Sequence, residues 1–195
     1  MARDFSFVPF KREDHIYHNE AFAELCKDAV RAFNGTPVCE LPPPRFAGSG
    51  VYAIYCTAKK GIYERYGNKV NRMGYNVPIY VGKAVPKGGS GNGLNTLPCH
   101  EQLGFWHERI KRSLGFATVD FLWRFHRMEG DYTRYIDGVY RMMLKIYHPV
   151  WNCVFTSCDS PDDFVFQWRQ LHSERFCGKA DKASQAELRR LLEVA

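Results

Sequence analysis

Gly50-Val51-Tyr52-Ala53-Ile54-Tyr55-Cys56 and, after a basic interlude, Val77-Pro78-Ile79-Tyr80-Val81-Gly82 are two β-rich runs on which a sheet can be built. Both are short and rich in β-branched and aromatic residues, the composition that suits a pleated, buried surface. A third strand is expected where Val119, Phe121, Trp123 and Phe125 alternate with Asp120, Leu122, Arg124 and His126, giving one fully apolar face. Helices are expected on either side. From Asn19 to Phe33, residues Phe22, Leu25, Cys26, Ala29 and Phe33 recur at helical spacing, and Asn34-Gly35 is a helix stop. A second helix is read from His100 to Leu114. A third runs from Tyr132 to His148 on Ile136, Val139, Met143, Ile146 and Tyr147, and Pro149 ends it. Trp151 to Phe155 is expected as a closing strand. Helices near Phe164–Arg175 and from Ser184 follow, the latter with Ser184 and Glu187 spaced as a capping box.

This order predicts an α/β (α+β) domain, a small central mixed β-sheet flanked by helices. Residues 1–49 form an N-terminal helix and a Pro-rich arm, with four prolines between Pro37 and Pro44. Residues 50–155 form the core, and residues 156–195 a C-terminal helical extension. A chain of 195 residues is long enough for one domain. Apolar residues make up 45% and charged residues 25%, which excludes a disordered tail or a collagen-like chain. No apolar run approaches the roughly 20 residues that cross a bilayer, and no apolar h-region precedes Arg12, so neither a membrane span nor a signal peptide is expected. Seven cysteines at irregular spacing point to reduced thiols and a cytoplasmic location. Cys99-His100 with His107, and Cys153 with Cys158, do not have zinc-ligand spacing, and Cys56 and Cys153 are expected in strands as small buried hydrophobes. The net charge of +6 suits a protein that meets a polyanion.

Four motifs stand in order: Gly50-Val51-Tyr52, then Tyr80-Val81-Gly82-Lys83, a basic helix at Arg109, and Pro149-Val150-Trp151-Asn152. This order resembles the GIY-YIG nuclease family, which includes the N-terminal nuclease domain of the repair protein UvrC, homing endonucleases and some type II restriction enzymes. Thr36-Pro37-Val38, Leu41-Pro42-Pro43-Pro44, Pro78 to Pro86 and Lys145-Ile146-Tyr147 resemble more narrowly the restriction endonucleases of that family that cut CCGCGG. The 28 positions between Tyr52 and Tyr80 fit that group. Gly61-Ile62-Tyr63 spells the motif literally but lies in a charged segment, and is read as insertion sequence.

The resemblance implies a sequence-specific double-stranded DNA endonuclease that hydrolyses phosphodiesters with the help of Mg²⁺ or Mn²⁺. Tyr52 takes the implied role of general base or water positioner, although an ordinary phenol, with a pKa of about 10, is a poor base at neutral pH. Tyr80 orients water or phosphate. Arg109 presents a planar guanidinium fork to phosphate oxygens, which suits a developing phosphorane charge. Lys83 is a phosphate contact, and Asn152 holds the site or the backbone around it.

Two positions depart from the pattern. Ser113 stands where the restriction enzymes have a histidine, and Tyr140 stands where the family has its metal-binding glutamate, 12 positions before the asparagine. Mg²⁺ prefers carboxylates. Asp137, three residues before Tyr140 on a neighbouring part of the helix face, is the candidate substitute, ahead of Glu129 and Glu108. Three outcomes stay open: a displaced carboxylate, a DNA-binding protein on this scaffold that does not cut, or an engineered or degenerate position.

The insertion Thr57–Asn76 and the Gly-rich loop Lys87–Leu97 flank the second motif. Lys59, Lys60, Arg65, Lys69, Arg72, Lys111 and Arg112 are expected to hold DNA phosphates. Arg65, Arg72, Asn71 and Asn76 are candidates for reading base edges. A palindromic target implies a homodimer, one half-site per subunit.

Overall fold

The computed structural model describes residues 11, 19–59, 63, 64, 67, 71, 74–86, 93–113 and 120–154, with 93, 94, 112, 113 and 154 described by their backbone alone. Helix α1 (Glu20–Asn34) starts where the Asn19 side chain accepts the Phe22 N–H at 2.9 Å, and it stops at Gly35. It is followed by β1 (Cys39–Glu40), β2 (Gly50–Cys56) and β3 (Tyr80–Ala84). Helix α2 spans Cys99–Ser113, and β4 is Phe121–Arg127. A 3-10 stretch, Gly130–Tyr135, leads into α3 (Ile136–Tyr147), and α4 (Val150–Val154) closes the described chain.

The four strands form one sheet in the order β1-β4-β2-β3, and every neighbour is antiparallel. The expected mixed sheet is therefore an antiparallel one within an α+β fold. The reason lies in where β4 lands. Helix α2 carries the chain from β3 back to a strand running the same way, but β2 lies between the two and pairs with both. Strand β2 is the centre of the molecule, and all seven of its residues are buried. Alternation along it divides the core. Tyr52, Ile54 and Cys56 pack with Leu103, Trp106 and Ile110 of α2 and Trp151 of α4. Val51, Ala53 and Tyr55 pack with Cys26, Val30 and Phe33 of α1 and Val139 and Met143 of α3.

Gly50 has φ 156°, and a Cβ there would lie 2.1 Å from the His126 carbonyl oxygen, so the first residue of the first motif has to be glycine. Trp123 stacks on Phe46 (5.7 Å between centroids, 3° between planes), which docks the Pro-rich arm on the sheet.

The expected strand from Trp151 is helix α4 instead. His148 takes a left-handed conformation that ends α3, and the Cys153 N–H then bonds the Pro149 carbonyl in helical fashion. Five residues are too few to reveal a period, so strand and helix read alike there. Cys153 is accordingly an exposed helix residue rather than a buried strand residue, whereas Cys56 is buried in β2 as expected. Tyr63 of the insertion is fully buried, and its hydroxyl accepts the Trp151 indole N–H at 2.9 Å. The helices expected after residue 156 lie outside the described residues.

Candidate active site

Strand β3 lies at one edge of the sheet, and the sequence-expected site is built around it on both faces. Tyr80 packs toward the α2 side, with its ring centroid 6.0 Å from that of Tyr52 and 4.4 Å from that of Trp106. Tyr52 is opposite Gly82 in the β2–β3 register. A Cβ on Gly82 would come within 2.2 Å of the Tyr52 ring, so the glycine of the second motif is the space in which the first tyrosine lies. Tyr52 is 1% exposed, and its hydroxyl donates to Gln102 Oε1 of α2 at 2.8 Å. Burial is the main cause that pushes its phenol well above the ordinary range, and Tyr80 and Cys99 nearby act in the same direction. A buried phenol of raised pKa is poorly suited to take a proton at neutral pH. Arg109 stands one turn beyond Trp106 on α2, half-buried, with its guanidinium 4.9 Å from the Phe105 ring centroid.

Lys83 points to the other face. Its ammonium forms an ion pair with Asp137 on the first turn of α3 and lies 5.4 Å from the Tyr140 ring centroid. Burial pushes the Tyr140 phenol up, and the nearby Asn152 side chain acts against that shift. Asn152 spans the edge between the two faces. Its Oδ1 accepts the Val81 N–H, and its Nδ2 donates to the Val81 carbonyl, both at 2.8 Å. That pair satisfies the exposed edge of β3 in place of a further strand, and the Trp151 N–H adds a bond to the Ile79 carbonyl at 2.9 Å.

The structure thus brings Tyr52, Tyr80 and the Arg109 helix together on one face. It brings Lys83, Asp137 and Tyr140 together on the other, with Asn152 between. Of the other acids considered, Glu129 pairs with Arg127 at 2.5 Å and Glu108 with His107 at 3.4 Å. Among the described residues, no three His, Cys, Asp or Glu side chains converge. One carboxylate that already carries an ammonium, beside a neutral phenol, does not fit a magnesium ion as these side chains stand.

Lys59 and Lys111 are exposed, as phosphate contacts require. Lys60, Arg65, Lys69 and Arg72, and the side chains of Arg112 and Ser113, lie outside the described residues. Asn76 is exposed. Asn71 is not available to read a base. It is 4% exposed, with its amide donating to the carbonyls of Cys56 (3.0 Å) and Val77 (3.1 Å) and accepting the Val77 N–H, so it ties the insertion to β2. The residue the sequence reading missed is Gln102, 1% exposed, with hydrogen bonds on both ends of its amide. Its signal was a lone amide within the apolar stripe Cys99, Leu103, Trp106 and Ile110.

No helix among the described residues is long and apolar enough to cross a membrane. No curated protein matches the chain. The family model described as the Eco29kI GIY-YIG domain matches residues 44–190, which takes in both tyrosine motifs, Arg109 and Asn152 and continues well past the last of them. With the order and placement of those parts on one antiparallel sheet, the chain belongs to the Eco29kI GIY-YIG domain family, nucleases of the type II restriction kind.

Proposed function

We propose that this protein is an endonuclease that hydrolyses one phosphodiester per strand of a palindromic site in double-stranded DNA, working as a homodimer. The observation that supports this most directly is the packing of Tyr52 and Tyr80, 6.0 Å apart, beside the helix that carries Arg109. In this reading DNA passes along the β3 edge. Arg109 holds two phosphate oxygens and stays charged as the phosphorane forms. Water attacks phosphorus, and the ester P–O bond breaks. Tyr80, half-buried and beside the buried Tyr52, orients the water or the phosphate. The exposed Lys59 and Lys111 hold the backbone further out. CCGCGG is the proposed target.

A second reading has its own observation. Tyr140 places a neutral phenol between Lys83 and Asn152, and the nearest carboxylate, Asp137, is already neutralised by Lys83. That donor set favours a protein that binds DNA without cutting it, or one that cuts without a resident divalent cation. Supercoiled plasmids with and without CCGCGG, incubated in Mg²⁺, in Mn²⁺ and in EDTA, separate these readings, with Tyr140→Glu and Asp137→Asn run in parallel. Cutting by the unaltered chain, lost in EDTA and in Asp137→Asn, supports the displaced carboxylate. Cutting that persists in EDTA supports a site that works on its own cations. Cutting by Tyr140→Glu alone, with salt-sensitive binding by the unaltered chain, establishes the binding protein.

A further inference from the structure

Gln102 sits in the middle of an apolar helix face, a costly place for an amide unless its hydrogen bonds are met. They are met in a way that fixes its orientation. Its Nε2 lies 3.1 Å from the Lys83 carbonyl oxygen and 2.8 Å from the Leu97 carbonyl oxygen. Carbonyls only accept, so the NH₂ must face them and the amide oxygen must face Tyr52. An amide oxygen also only accepts, so the Tyr52 hydroxyl gives its proton to that oxygen at 2.8 Å. The network therefore has one consistent arrangement of hydrogens, set by two backbone carbonyls.

We propose that Gln102 is a positioning residue of this site: it locks the Tyr52 hydroxyl as a neutral donor and couples that lock to the strand that carries Tyr80 and Lys83 and to the loop at Leu97. The proposal rests on the nuclease reading and deepens it. With its proton donated to Gln102, the buried Tyr52 neither takes a proton nor faces water directly. It supports its neighbour Tyr80, and Tyr80 is the phenol that meets water or phosphate. The same amide bonds the Lys83 backbone, so β3 cannot shift without disturbing the Tyr52 hydroxyl.

The test is a double-mutant cycle on the full-length protein with Gln102→Met, Tyr52→Phe and both together, scored on single-turnover plasmid cleavage and on DNA affinity. If Gln102 acts through the Tyr52 hydroxyl, each single variant lowers the cleavage rate by about tenfold or more with affinity nearly unchanged, and the double variant is no slower than the slower single one. Rate losses that multiply in the double variant would overturn the proposal, because Gln102 would then act only as a backbone clamp. A second readout needs neither DNA nor a variant that folds. In the unaltered protein, NMR should show a slowly exchanging Tyr52 hydroxyl proton with a cross-peak to the Gln102 side chain. A rapidly exchanging Tyr52 hydroxyl overturns the assignment. Absence of cleavage by the unaltered protein alongside that NMR signal would count against the nuclease reading instead.

Discussion

A methyl group at Gly82 would meet the Tyr52 ring at 2.2 Å, and that ring has no room to yield, since Tyr52 is buried against α2 and held at its hydroxyl. Gly82→Ala is therefore expected to lower stability by about 1–3 kcal/mol by overpacking, read as a reduced urea midpoint, and to cost cleavage as well. Asn152→Ala removes two bonds to the Val81 backbone and leaves the edge of β3 half-satisfied. A loss of about 1–3 kcal/mol is expected in the same assay. At this scale the sequence was legible where a motif named the residue, as for Tyr52, Tyr80 and Asn152. It was not legible where the same residue type does two jobs. Asn71 and Asn76 look alike in a basic, tyrosine-rich loop, yet one is a buried staple and the other is exposed. Only the burial of Asn71 against Cys56 and Val77 tells them apart.

The elements carry a different lesson. Strand β4 was readable because apolar residues alternate with more polar ones along it, and α1 and α3 from apolar stripes that bury one face of each helix. Helix α4 was not, because its five residues are shorter than the period that would identify them. Its worth lies in Trp151, which stacks on Trp106 at 4.9 Å and 11° and on Phe121 at 5.7 Å. Trp151→Ala should cost about 3–5 kcal/mol, measured by chemical unfolding, because it opens a cavity that three elements line. Strand β2 makes a prediction about pH. Burial pushes the Cys56 thiol up from 9.0 to about 12, and pushes the Tyr52 and Tyr55 phenols above their usual 10.0. The native strand keeps protons that the unfolded chain gives up. This contribution to stability is complete below pH 9 and is lost as the pH rises from 9 through 12. Urea midpoints should therefore fall steeply in that window, and a flat profile would show that these groups are not buried as described.

Across the whole molecule, the sheet presents one edge at which two faces meet, and the matched family region covers that edge and most of the chain beyond it. The sequence could order the motifs, and strand alternation already puts Tyr80 and Lys83 on opposite faces of β3, but it could not show that one face meets Trp106 of α2 and the other Asp137 of α3. The edge reading also predicts that DNA retention weakens with salt, with log affinity falling linearly in log salt concentration and with a smaller slope in Lys59→Ala and Lys111→Ala. The most direct test of the central claim, that the β3 edge facing α2 is where DNA is cut, is the nicking and linearisation of supercoiled plasmid by the full chain beside Arg109→Ala. The unaltered protein is expected to cut, and Arg109→Ala to lose at least about a hundredfold in rate with thermal stability and DNA binding largely retained. Equal cutting by the two proteins, or no cutting by the unaltered chain with any divalent cation or with none, would contradict it.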